Sequence, residues 1–371
     1  MPGSHVQSRP VTAGQGLDPS AYCDPAIAER ETAQLFRASW VGLGRADQIA
    51  KPGDYVTRDI AGASLILIRD RNGTPHAFAN VCRHRGSRLL DGEGNCRLVR
   101  CPFHSWSYAP DGRLAVAPHM DEVDGFDAST HGLIEYPLAE RLGFLFVSLG
   151  GDAGPVDDWL GDFDAVHAPW PLADMTTYRK RYLTVACNWK AFLDVFNEYY
   201  HLGSVHPRSI DSLYARPEAP DAVRGQFASQ FGVTKGTGAL LEDRQDLALP
   251  AMPGLEAPWR DGVRYTWAFP SMTFAAGRDA LWVYEAYPDG PDACSVVQTV
   301  CFHPETMTSP GFADRAAAYV ERADAALDED IPALAFQHRG LMSCDAVAGP
   351  LHGLLEASVL RFARWWETKM A

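Results

Sequence analysis

The sequence predicts an α+β protein in two parts, a small antiparallel β domain followed by a domain of mixed sheet and helix. Three observations predict it. Between about residues 40 and 150, Gly and Asp-Gly turns recur at short spacing (Gly53, Gly73, Gly86, Gly92, Asp111-Gly112), as short antiparallel strands require. Gly150 to Pro155 then reads as a Gly/Asp/Pro linker. Beyond it, strand alternation and long helical periodicity both appear. The 371 residues suffice for two modest domains. The expected division is 1–38 as a tail and helix packing on the second domain, 39–150 as the β domain, and 151–371 as the second domain.

The elements follow in order. Met1 to Gln15 is polar and rich in Gly, Ser and Pro, and reads as a frayed tail. It lacks the basic-then-apolar pattern of a signal peptide, so secretion is not expected. Pro25 to Arg37 reads as a helix with Ile27, Ala28, Ala33, Leu35 and Phe36 on its apolar positions. Ser64 to Arg69 is an apolar strand, Arg71-Asn72-Gly73-Thr74 a hairpin turn, and Phe78 to Val81 the returning strand. Gly143 to Leu149 closes the domain as a buried strand. In the second domain, Asn188 to His201 reads as a helix ended by Gly203-Ser204 and Pro207. Residues 212–262 read as long loops over a site. Three strands follow (Arg264–Phe269, Ala280–Tyr287, Ser295–Phe302), then helices over Pro310–Gln337 and Leu355–Trp366.

Composition narrows the function. A net charge of −14 disfavours nucleic acid and anionic membranes as partners. No run of about eighteen apolar residues suggests a membrane span. The eight cysteines are scattered apart from a cluster at 82–101. That suits a reduced, cytoplasmic chain with one metal site better than a disulfide framework.

The cysteine cluster is Cys82-Arg83-His84-Arg85-Gly86, then Cys101-Pro102-Phe103-His104-Ser105-Trp106, a C-x-H and a C-x-x-H separated by sixteen residues. Two Cys and two His can hold one zinc tetrahedrally. They can also hold two irons, with the thiolates on one and the imidazoles on the other, which raises the reduction potential. Gly86 and Pro102 suit the turns of the two loops, and Cys96, outside the spacing, reads as a structural thiol.

A second group lies in Asp194-Val195-Phe196-Asn197-Glu198-Tyr199-Tyr200-His201 and His206-Pro207. On a continuous helix Asp194, Asn197, Glu198 and His201 share one face. Phe192, Phe196 and Tyr200 indicate that the segment is buried. His201 and His206 would point about 140° apart on that helix. They converge on one ion only if the helix breaks between them, and Gly203 is placed to break it. Two histidines and one carboxylate on one face of iron leave positions open for O2 and substrate. The candidate carboxylates are Asp324, Asp328, Glu329 and Asp330, which the helix dipole alone could also explain.

These motifs closely resemble those of Rieske non-heme iron oxygenases, the ring-hydroxylating oxygenase α-subunit family. The match rests on Cys82-Arg83-His84-Arg85-Gly86, Cys101-Pro102-Phe103-His104-Ser105-Trp106, Asn188-Trp189-Lys190 and Glu198-Tyr199-Tyr200-His201 with His206. Trp40, Pro52 to Tyr55, Tyr287-Pro288 and Phe302-His303-Pro304 extend it over nearly the whole chain, which resembles the shorter, α-only members. The resemblance implies an N-terminal Rieske domain and a helix-grip, lipid-transfer-like catalytic domain. It implies a 2Fe-2S cluster on Cys82, His84, Cys101 and His104, and a mononuclear Fe(II) on His201, His206 and Asp330. Asp330 is selected by its spacing to Gln337 and Gly340. Glu198 becomes the bridge to the cluster of a neighbouring subunit in a head-to-tail homotrimer, with Asp194 in a supporting role. Many members carry Asp where this chain has Glu198, and Val195 replaces an Asn common there.

The implied reaction uses O2 and electrons from NAD(P)H, delivered by a flavin/iron–sulfur reductase with or without a ferredoxin. Tyr265, Trp267 and Phe269 alternate on one strand, and Trp282 and Tyr284 on another, so each set shares a sheet face. They form either core or an aromatic pocket for a ring or a quaternary ammonium group. The Glu-containing motif resembles the branch that oxidises carnitine-like and betaine-like compounds. Monooxygenation or oxidative demethylation is therefore expected first, and cis-dihydroxylation of an arene second. A plain Rieske electron carrier would leave the second domain unexplained, and a lipid-binding protein would not need His201, His206 and Asp330.

Overall fold

The computed structural model describes residues 11–371. Most of the expected tail, Met1 to Pro10, lies outside the described residues. The remainder of it is not frayed, because Ala13–Gln15 pairs antiparallel with Pro350–His352.

The N-terminal lobe is antiparallel β throughout. A five-stranded sheet runs Glu135–Tyr136, Pro75–Ala79, Ala63–Arg69, Asp54–Ile60, Glu93–Asn95. Two three-stranded sheets complete it: Leu138–Arg141, Phe144–Ser148, Trp40–Arg45, and Val99–Arg100, Ser107–Tyr108, Leu114–Val116. The hairpin turn lies where expected, with Gly73 at φ +88°. The returning strand is Pro75–Ala79 rather than Phe78–Val81. Asn80 ends it: its Oδ1 accepts from the N–H groups of Leu89 and Leu90, and its Nδ2 donates to Leu90 O. Those bonds turn the chain out of the sheet just before Cys82.

The C-terminal lobe is built on a six-stranded antiparallel sheet of β1 (Thr176–Val185), β2 (Phe227–Val233), β3 (Gly262–Ala268), β4 (Met272–Ala276), β5 (Leu281–Pro288) and β6 (Cys294–Phe302), in the order β1-β6-β5-β4-β3-β2. Three of these strands escaped the sequence reading. β1 (TTYRKRYLTV) carries charges and is only half-buried along most of its length, so it shows no clean alternation. β2 lies inside 212–262, which is therefore not all loop. β4 follows β3 after only a tight turn.

Against this sheet lie α1 (Trp189–Phe196), the one-turn α2 (Leu202–Val205), α3 (Phe312–Leu341) and α4 (Ala357–Met370). The helix expected over 188–201 stops at Phe196. Asn197 leaves helical geometry at φ −105°, ψ 21°. Its side chain donates to Leu193 O and accepts from Thr273 Oγ1 on β4, pinning the helix end to the sheet. The one-face stripe of Asp194, Asn197, Glu198 and His201 therefore does not exist. Tyr200, expected in the core, is 62% exposed. Gly203 does not break a helix but sits inside α2; the break comes earlier, at Asn197.

Residues 25–36 are helical as expected, but the α-helix Pro25–Arg30 loosens into a π-helical stretch, Glu31–Phe36. That widening brings Glu31 inward. Its carboxylate accepts from Lys190 Nζ (2.7 Å), Trp189 Nε1 (3.1 Å) and Trp366 Nε1, tying the N-terminal helix to α1 and α4. Asn188 caps α1 by accepting from Lys190 N–H at 3.0 Å. The Asn-Trp-Lys segment thus fixes the start of the helix that leads to the site.

Two candidate metal centres

The first centre sits at one tip of the N-terminal lobe, on two loops of matching construction. In one, Cys82 N–H donates to Ser87 O and Gly86 N–H to Cys82 O. In the other, Cys101 N–H donates to Trp106 O and Ser105 N–H to Cys101 O. Each loop has a left-handed residue at its fifth position, Gly86 (φ +73°) and Ser105 (φ +63°). The first matches the glycine read from the sequence. The second falls on Ser105, which carried no such signal, and is steadied by Arg100 donating to its Oγ.

The loops place the thiols inside and the imidazoles outside. Cys82 and Cys101 are buried, His84 is exposed and His104 half-buried. The two imidazole centroids are 4.7 Å apart. Trp106 stacks on His84 at 5.0 Å. Tyr108 Oη lies 3.3 Å from Cys82 Sγ and accepts from Arg83 N–H. Burial pushes the Cys101 thiol up, but the N–H groups of Phe103 and His104 aimed at its sulfur outweigh this and hold it below the ordinary value. The Cys101 sulfur is thereby prepared for the thiolate state that iron requires. Cys96, half-buried, packs against the edge of this lobe's small core.

The second centre lies in the C-terminal lobe. His201 and His206 flank α2 as its two end residues, and their rings sit 5.0 Å apart. Asp330 on α3 faces both, with Oδ1 3.0 Å from His206 Nε2 and 3.6 Å from His201 Nε2. That oxygen is buried with no hydrogen-bond donor. Two donors bound side by side at about 2.1 Å from one ion lie about 3 Å apart, so the trio fits a single cation. His201, His206 and Asp330 form the one cluster of this kind among the described residues.

Both remaining ring nitrogens are held by carboxylates. His201 Nδ1 is hydrogen-bonded to Glu198 Oε1, and His206 Nδ1 to Glu329 Oε2 at 2.7 Å. Ser209 Oγ also donates to Glu329. Such partners fix the tautomer that presents Nε2 to a metal. Glu329, one of the four acids open as third ligand, therefore supports His206. Asp324 and Asp328 pair instead with Arg179 and Arg181. Asp194 accepts from Tyr22 Oη at 2.8 Å, and burial pushes its carboxyl up to about 7.

A narrow cavity of about 40 Å³ opens on the trio, lined among others by Phe196, Tyr199, Tyr265, Trp282, Tyr284 and Arg322. Trp282 and Tyr284 are where the pocket reading put them. Trp267 and Phe269 are not. Trp267 shares Tyr265's face of the sheet and Phe269 lies just past the end of β3, but α4 covers both: Trp267 stacks on Phe362 at 4.0 Å and the Phe269 ring lies tilted against Trp365 at 5.0 Å. Phe196, Tyr199 and Arg322 line the pocket without having been singled out.

The family model for the ring hydroxylating alpha subunit (catalytic domain) matches residues 172–371, and the Rieske [2Fe-2S] domain matches residues 39–127. This chain belongs to the ring-hydroxylating oxygenase α-subunit family. The glycine betaine monooxygenase oxygenase subunit of Chromohalobacter salexigens is 28% identical, covering 94% of this chain and 84% of that one. The carnitine monooxygenase oxygenase subunit of Escherichia coli is 34% identical over 58% of each chain. Among solved structures, the quaternary ammonium Rieske monooxygenase CntA with L-carnitine has a TM-score of 0.82 at 22% identity, covering 97% of this chain and 96% of that one. Naphthalene 1,2-dioxygenase from Rhodococcus scores 0.77 at 21% identity, covering 96% and 94%.

The chain is accordingly the oxygenase component of a Rieske system, with a Rieske 2Fe-2S cluster and a mononuclear iron as cofactors, O2 as co-substrate and a reductase as electron source. No helix of the described residues is long and apolar enough to cross a membrane.

Proposed function

We propose that this oxygenase, a cytoplasmic protein, monooxygenates a quaternary ammonium compound at a carbon next to nitrogen. We assign the cluster to Cys82, His84, Cys101 and His104 in a domain spanning 39–150, and the iron to His201, His206 and Asp330 in a domain spanning 151–371. The observation that carries the substrate reading is the aromatic cavity opening on the trio, whose ring faces attract a quaternary ammonium cation. The names of the betaine and carnitine relatives point the same way.

When bound, iron supplies O2 activation. The residues around it supply geometry. Glu198 and Glu329 hold the two imidazoles, and the rings of the buried Tyr284 and the half-buried Tyr265 shield the reacting carbon from water. One O2, two electrons and two protons give one hydroxylated carbon and one water. The resulting hydroxylated ammonium ion loses its hydroxyl proton to solvent as its C–N bond breaks, the bond pair going to nitrogen, to leave a carbonyl compound and a tertiary amine.

In the proposed head-to-tail trimer, His104 of one subunit meets Glu198 of the next. Exposed Val81 and Phe103 beside the cluster histidines, and exposed Tyr200 and Val347 near Glu198, suit such a docking. The test is coupled O2 uptake and product formation by chemically reduced holoenzyme on glycine betaine, carnitine, choline and a set of aromatic acids. Aldehyde and tertiary amine formed in step with O2 uptake from a quaternary amine support the reading. Turnover confined to arenes, with cis-diol products, would replace it with dihydroxylation.

A further inference from the structure

Arg322 is a cation inside the active-site cavity with no anion to match it. It is 4% exposed. Its Nη2 donates to Tyr214 Oη at 3.0 Å, its buried Nε has no partner, and no carboxylate pairs with it among the described residues. The acids nearest it along α3 are engaged elsewhere: Glu321 with Arg244, Asp324 with Arg179 and Arg181, Asp328 with Arg181, Glu329 with His206. Its surroundings are tyrosines. Tyr214 donates to Gly238 O and lies 2.8 Å from Tyr265 Oη, so it can accept from both Arg322 and Tyr265. A buried charge without a counter-ion costs stability that a fold normally avoids.

The position of this charge is informative. Arg322, Ala326 and Asp330 follow one another at four-residue spacing on α3, and all three line the cavity. One helix face thus carries a guanidinium at one end and the metal-facing carboxylate two turns away, about 12 Å along the axis. Arg322 also covers the face of Trp282, its Cζ 5.0 Å from the ring centroid. The Trp282 indole N–H is itself buried without an acceptor. An ammonium group cannot use that ring face without meeting a like charge. The cationic end of a substrate is left to the rings of Phe196, Tyr199 and Tyr265 and to the acidic side of the site.

We infer that Arg322 is a specificity-determining residue that binds a carboxylate of the substrate, with Trp282 Nε1 as a second donor, so that the oxygenase selects zwitterionic betaines over simple quaternary amines. This rests on the quaternary ammonium reading above and sharpens its substrate class. The guanidinium offers paired N–H donors matched to a carboxylate, and the substrate would bring the missing counter-ion.

The test compares glycine betaine and carnitine with choline, which has a hydroxyl where they have a carboxylate, in wild type and in Arg322→Gln. The readout is the betaine-to-choline ratio of kcat/KM, or of Ki for a compound that does not turn over. Truncating one partner of a buried charge pair predicts a fall in that ratio of about a hundredfold, with most of it in KM. Arg322→Lys should recover part of it, since the charge returns without the paired donors. A ratio unchanged in Arg322→Gln, with both substrates weakened alike, overturns the inference and assigns Arg322 to holding Tyr214.

A second measurement needs no variant. Butyrate should compete with substrate in the wild-type holoenzyme and 1-butanol should not; equal behaviour of the two also overturns it. If only aromatic acids turn over, the quaternary ammonium reading fails by itself, and the ratio of acid to primary amide then decides the role of Arg322.

Discussion

The two metal-binding regions place histidines by opposite means. In the N-terminal lobe all four proposed cluster residues come from two neighbouring loops closed by their own backbone hydrogen bonds, and the imidazoles point outward beside exposed Phe103. In the C-terminal lobe His201 and His206 are joined by one short turn, but Asp330 and Glu329 arrive from α3, more than a hundred residues later. The first site is a local structure that a lobe carries at its surface. The second exists only if sheet, α1 and α3 are packed correctly, and its ligand atoms are enclosed. An electron-transfer group gains from exposure to its redox partners. A group that meets O2 and substrate gains from enclosure.

Perturbing the scaffold should separate the two regions, and the largest effect is expected at Lys190. Lys190→Met leaves Glu31 buried and without its ion partner, which costs about 3–5 kcal/mol. Chemical denaturation should show that loss while the visible spectrum of the cluster in the native protein is unchanged. A loss within the range of a surface pair, about 1 kcal/mol or less, would show that the Glu31 contacts do not organise the second lobe.

Next in size are the carboxylates behind the histidines. Glu329→Gln should weaken iron binding at the catalytic site about 10- to 100-fold, measured by titration against a chelator, and leave the cluster untouched. An unchanged affinity would mean that the His206–Glu329 bond is incidental. Glu198→Gln should keep both metals yet slow electron arrival at the catalytic iron. Equal single-turnover rates in variant and parent would remove Glu198 from the electron route.

The smallest expected effect is a pH dependence at Asp194. Burial, opposed by the Tyr22 hydrogen bond and by Lys190, raises its carboxyl from 3.8 to about 7 in the folded chain. The folded state therefore favours the protonated form. That contribution is full at low pH and is lost as pH rises from the ordinary carboxylate range through about 7. Asp194→Asn removes the loss, so the variant should gain stability relative to wild type between pH 5 and pH 8. A stability difference that is flat over that range would contradict it.

Legibility in the sequence follows the same division. The four proposed cluster residues stand out in the sequence, because their spacing is the loop geometry itself. Only the left-handed Ser105 was hidden, since nothing in its residue type marks it. The second site was legible as a histidine pair, but the helix drawn through it was wrong. Periodicity cannot show that Asn197 abandons the helix to bond Thr273. Asp330 and Glu329 are adjacent acids about 100° apart on a helix; the family's spacing singled out Asp330, but only packing shows that Asp330 faces both histidines while Glu329 holds His206 from behind. Alternation placed Trp267 on Tyr265's sheet face, but it could not show that β3 ends at Ala268, before Phe269, or that α4 covers that half. Arg322, in the charged run Glu321-Arg322-Ala323-Asp324, looks like a surface residue until α3 is seated on the cavity.

The most direct test of a chain with two separate iron sites is its metal content, read with the Rieske spectroscopic signature in wild type and in Asp330→Ala. Three irons per chain in wild type, falling to two in the variant with the Rieske signature unaltered, is the expected result. Zinc in place of iron, two irons in the wild type, or a cluster signal lost together with Asp330 would contradict it.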